Sequence, residues 1–96
     1  MYRRFHPQDH GMLFEWDSNK IQCMWMKNTY VPLSVAYIDA EGKIINISDM
    51  TPLSKASVCS EKPALYALEV SQGVFKNNNI NAGDILAIDK TLQNDK

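Results

Sequence analysis

Turn-forming residues interrupt this chain so often that the segments between them suit strands and leave little room for helices. Pro7 and Gly11, Asp17 to Lys20, Pro32, Glu41-Gly42, Pro52, Pro63, Gly73 and Gly83 set the intervals. Such residues fix φ, adopt positive φ or bond their own backbone. Within the segments the apolar residues alternate. Met12, Phe14 and Trp16 fall on one face of a strand and Leu13 and Glu15 on the other, because successive side chains of a strand point to opposite sides. A second strand is expected from Ile21 to about Asn28 and should end by Pro32, which donates no ladder bond. Leu33 to Asp39 is almost wholly apolar, as in a strand covered on both faces. Ile44 to Ile47 resumes the β-branched pattern after the polar Ala40 to Lys43, which completes a hairpin. Leu65 to Val70 alternates again, and Ile85 to Asp89 reads as the last strand. The longest irregular stretch runs from 48 to 63, a length at which loops are more often functional than idle.

One helix is expected, capped by Ser71 and running to Asn77 or Asn78, with Gly73 and three consecutive asparagines weakening it. This pattern makes the fold mostly β: a small antiparallel β-sandwich or barrel-like domain with one short helix near residues 71–78. Alternating βαβ units are absent from the sequence, which excludes a doubly wound parallel sheet. A chain of 96 residues can bury roughly two-thirds of its unfolded surface, enough for one modest core. Residues 1–96 are therefore read as a single domain, with Phe14, Trp25, Val35, Tyr37 and Leu68 expected at its centre.

Composition narrows function by exclusion. Ten Lys plus Arg against eleven Asp plus Glu leave a formal charge of −1, too little to hold a polyanion by counterion release. No nucleic-acid partner is expected. No apolar run approaches the roughly 18 to 20 residues that cross a bilayer, and Met1 to Phe5 lacks the apolar stretch of a secretory signal. No membrane partner is expected, and the compartment stays open. Cys23 and Cys59 lack the spacing of a zinc or dithiol motif and read as two small hydrophobes, with a disulfide only if the fold brings them together. His6 and His10 have helical metal-site spacing, but Pro7 and Gly11 argue for a solvated turn, so no metal or cofactor is assigned. Asp39, Glu41, Glu69, Asp84 and Asp89 stand singly at strand ends or turns and offer no acid-base pair. Asp84 is expected to stabilise its own turn.

The run Trp25-Met26-Lys27-Asn28-Thr29 carries the most chemistry. On a strand Trp25 and Lys27 share one face, with Met24, Met26 and Asn28 on the other, so an ammonium lies beside a large aromatic surface. Such a pair suits a small anion or a sugar hydroxyl. The plainer alternative places Trp25 in the core with Lys27 extended along it. A hydrolase pairing of Lys27 with Ser57 or Ser60 can also be drawn, although nothing in the spacing demands it.

Gly11-Met12-Leu13-Phe14, Trp25 to Thr29 with Pro32-Leu33, Ala36 to Asp39 with Gly42, Pro63-Ala64, Leu68-Glu69-Val70, Gly73, Ile80 and Gly83-Asp84 recur in order along nearly the whole chain. In these residues the sequence resembles the uncharacterised bacterial and archaeal family called domain of unknown function 192. The resemblance implies a compact, sandwich-like β fold and no particular activity. It also implies at least a strand's worth of chain ahead of Met1, a region in which relatives often carry an export signal. A sheet lacking that strand would expose an edge, and a homodimer through that edge is the expected consequence. The function expected is a ligand-binding or accessory domain for an unidentified small ligand, using Trp25, Lys27, Asn28, Thr29 and Glu69. A Lys27 hydrolase and a purely structural interaction protein are the alternatives.

Overall fold

The structure is a computed structural model and describes residues 2–4, 11–26 and 30–87. Its elements in order are β1 (Tyr2–Arg4), β2 (Gly11–Lys20), β3 (Cys23–Met24), β4 (Leu33–Ile38), β5 (Ile44–Met50), β6 (Val58–Cys59), β7 (Ala64–Ser71), α1 (Val74–Asn77) and β8 (Ile85–Ala87). Four of the strands form one antiparallel sheet in the order β2-β7-β4-β5. β3 pairs with β6 in an antiparallel ribbon, and β1 pairs with β8 in parallel. The mostly-β, sandwich-like expectation holds, and the sheet does not close into a barrel. His6, His10 and the tail from Thr91 lie outside the described residues.

The alternation of each strand divides its side chains between two apolar clusters, one on each face of the sheet. One face packs Leu13, Ala36, Ile38, Ile44, Leu68 and Val70 against Phe75 of α1, Ile80 and Leu86 of β8. The other packs Val35, Tyr37, Met50 and Ala67 against Met26, with Met24 and Val58 of the ribbon closing over them. β4 runs between neighbours and is buried from Ser34 to Ile38, which accounts for its nearly unbroken apolar run. The β4–β5 hairpin closes through Asp39, whose Oδ1 accepts from the N–H groups of Glu41 and Lys43, both at 2.9 Å. Gly11 is required by close approach. A Cβ there would stand 2.0 Å from the Glu69 carbonyl oxygen of β7.

Several elements depart from expectation, each for a local reason. β2 continues through Asp17 to Lys20, where a turn was expected; a register shift between Glu15 and Lys20 absorbs those turn-forming residues as an exposed irregularity. Among the described residues, the strand expected over Ile21 to Asn28 has ladder pairing at Cys23 and Met24 alone, opposite Val58 and Cys59 of β6. β6 itself, and the Ser48 to Met50 end of β5, fall in the stretch expected to be irregular. The helix begins later than expected. Ser71 completes β7, and Gly73, with φ 95°, turns the chain into a four-residue helix without a side-chain cap. Asp84 behaves as expected, its carboxylate accepting from the Asn81 N–H at 3.0 Å.

Candidate functional site

The ribbon presents the residues singled out by the sequence. Its registry pairs Cys23 with Cys59 and Met24 with Val58, and strand alternation sends the two pairs to opposite sides. Met24 and Val58 pack onto the sheet, as does Met26 beyond them. Cys23 and Cys59 face outward and are joined by a disulfide, with Cα atoms 4.0 Å apart. The reading of these cysteines as two small hydrophobic thiols is therefore corrected, and the disulfide left open on the condition that the fold brings them together is the one formed. Trp25 lies between two inward methionines and is 53% exposed. It is not a core residue, and the alternative that made it one is overturned by this phase.

Beneath the ribbon, Tyr37 connects the sheet to its cover. Its hydroxyl donates to the Val58 carbonyl oxygen at 2.5 Å, and its ring stacks with Trp16 at a centroid distance of 6.5 Å. Burial first, and the neighbouring Glu69 second, push this hydroxyl up to about 12, while hydrogen bonding from the Met24 backbone acts the other way. Glu69 sits on β7 between Met12 of β2 and Val35 of β4. Partial burial raises its carboxyl above the usual carboxylate range, because the charged form loses hydration.

Of the residues expected at the site, the structure describes Trp25 and Glu69, while Lys27, Asn28 and Thr29 lie outside the described residues. The two are on different sides of the ribbon: Trp25 is on its outer surface, and Glu69 belongs to the sheet face below, in the electrostatic reach of Tyr37. Tyr37 was expected as core alone, and its coupling to Glu69 depends on the β7–β4 registry, which sequence does not state. The loop serines divide. Ser60 is buried, its Oγ accepting from the Gln22 N–H at 3.0 Å, so it serves the fold. Ser57 is exposed. Among the described residues no group of three His, Cys, Asp or Glu is placed to hold a metal ion, and no helix is long and apolar enough to cross a membrane.

The sheet with its disulfide-bonded cover defines a small, sandwich-like β domain. The chain belongs to the DUF192 family, described as "Uncharacterized ACR", whose model matches residues 1–88. No curated protein matches it significantly. A crystal structure of a protein proposed to be a transcription regulator, from Sinorhizobium meliloti 1021, is similar to it with 40% identity and a TM-score of 0.75. The match covers 86% of this chain and 65% of that one, so this chain spans about two-thirds of the neighbour's length. A crystal structure of a protein of unknown function from Novosphingobium aromaticivorans DSM 12444 shares the fold at 21% identity and a TM-score of 0.73, over 85% of this chain and 69% of that one.

Proposed function

We propose that this domain is a ligand-binding or accessory module whose binding surface centres on Trp25 and continues through Lys27, Asn28 and Thr29, with Glu69 as an acidic group of the sheet below. The observation that carries this reading is the exposure of Trp25 on a backbone that is otherwise fastened down. Met24 and Met26 are packed on either side of it, and the Cys23–Cys59 disulfide fixes the ribbon. A large aromatic face held in water at low conformational cost is a ready stacking platform. Lys27, two residues on, supplies the positive charge that directs the ligand class to a small anionic or hydroxylated compound.

The description of the Sinorhizobium neighbour as a transcription regulator is not carried over as DNA binding, since a formal charge of −1 offers a phosphate backbone little attraction. A hydrolase built on Lys27 loses one of its two loop serines, because Ser60 is committed to Gln22. The test is an amide-resolved NMR titration with inorganic phosphate, citrate, glucose and N-acetylglucosamine. Saturable shifts clustered on the Trp25 segment, lost in Lys27→Met with the melting temperature kept, are expected for at least one of them. Absence of any such shift overturns the reading.

A further inference from the structure

On the opposite face of the sheet from the ribbon, a cavity of about 530 Å³ opens between the end of the β4–β5 pair and the α1 segment. Its size falls within the range of small-ligand sites, roughly 300 to 1,000 Å³. The sheet wall carries Ser34 and Asp49, which are direct cross-strand partners. Ser34 is only 3% exposed, and its hydroxyl donates to Asp49 Oδ1 at 2.5 Å. That bond holds one carboxylate oxygen of a side chain that lines the cavity. The facing wall carries Lys76 of α1, with Ile47, Phe75 and Ile80 supplying the apolar floor. Among the described residues, neither Asp49 nor Lys76 forms an ion pair.

Opposite charges on two walls, without mutual compensation, constrain what can enter. A neutral ligand would gain no charge–charge attraction from either group. A simple anion would satisfy Lys76 and be repelled by Asp49, and a simple cation would do the reverse. A molecule bearing both an ammonium and a carboxylate compensates both, and each of the resulting hydrogen bonds is charge-assisted at both ends. We infer that this cavity binds a small zwitterion of the amino-acid class, with its ammonium at Asp49 and its carboxylate at Lys76. The site is independent of the Trp25 surface, lying on the other face of the sheet and using none of its residues.

The test is an NMR titration of the full chain with L-alanine and γ-aminobutyrate as zwitterions, ethylamine and propionate as half-ligands, and glucose as a neutral control. At least one zwitterion should give saturable shifts at the amides of Ile47, Asp49 and Lys76, binding roughly tenfold or more tightly than either half-ligand. Asp49→Asn and Lys76→Met should each weaken that binding by about tenfold or more. Both positions are exposed, so unchanged thermal melts will separate lost binding from lost fold. No saturable shift with either zwitterion overturns the inference. So does equal binding of ethylamine, propionate or glucose at these amides, or a response confined to the Trp25 segment.

Discussion

Cys23 and Cys59 occupy directly opposed positions on β3 and β6, and their disulfide closes a ribbon that has, among the described residues, one other ladder pair, Met24 with Val58. So short a ladder contributes few hydrogen bonds, and the covalent link across 36 residues of sequence restricts the unfolded chain instead. Loop-closure entropy for that separation gives about 4 kcal/mol as an upper figure. Urea melts with and without reductant should therefore show a loss of about 2 to 4 kcal/mol on reduction. A Cys23→Ser, Cys59→Ser double variant should behave like the reduced protein and be insensitive to reductant.

The two aromatic or apolar positions once expected together in the core should respond very differently. Leu68, fully buried in β7, should cost about 2 to 5 kcal/mol when truncated to Ala, through lost transfer energy and the cavity left behind. Trp25→Ala should cost less, about 1 to 2 kcal/mol, because roughly half of the side chain is already in water. Paired chemical denaturation curves check both values.

Glu69 gives a pH dependence of definite sign. Burial raises its folded carboxyl above the ordinary carboxylate range, so the protonated form is the one the fold favours. The stabilising contribution is complete below the unfolded value and is lost as pH rises through the folded one. Glu69→Gln, which keeps the shape and removes the charge, should be more stable than wild type at pH 7 and lose that advantage below about pH 4.5. Melting temperatures of the two proteins across this interval provide the check.

Tyr37 moves in the same direction at the other end of the scale. With its hydroxyl pushed up to about 12 from 10.0, the fold favours the neutral phenol, and stability should fall as pH rises from 10 through 12. Ultraviolet titration should show a tyrosine component ionising above the ordinary value of 10.0, and that component should be missing from Tyr37→Phe. Tyr37→Phe should leave the Val58 carbonyl without its donor, cost about 1 to 3 kcal/mol, and remove that share of the alkaline loss.

The strands that were legible in the sequence are those whose partners are long. β4 declared itself because both its faces are buried, and the β4–β5 hairpin because the polar stretch Ala40 to Lys43 separates two apolar runs. The Asp84 turn was legible for the same local reason. The ribbon was not, since the pairing of Cys23 with Cys59 depends on chain return across 36 residues, and local pattern carries no such information. Trp25 was misplaced because alternation fixes which residues share a face but not which face is inward. The inward choice was made by Met24 and Met26, two flexible side chains able to fill the gap over Tyr37. Glu69 was named as a candidate from the sequence, whereas its neighbour Tyr37 became one only through sheet registry. The Ser34–Asp49 pair on the cavity wall was missed altogether, since no local signal links residues on two strands before their registry is known.

The central claim is that Trp25 is a binding platform and not a part of the core. Trp25→Ala, compared with wild type in the same ligand titration and the same thermal melt, separates the two roles in one measurement. The account predicts that the variant still melts cooperatively as a folded protein and loses the saturable response of the Trp25 segment to phosphate, citrate, glucose or N-acetylglucosamine. A variant that unfolds, or one that folds and binds as wild type does, would contradict it.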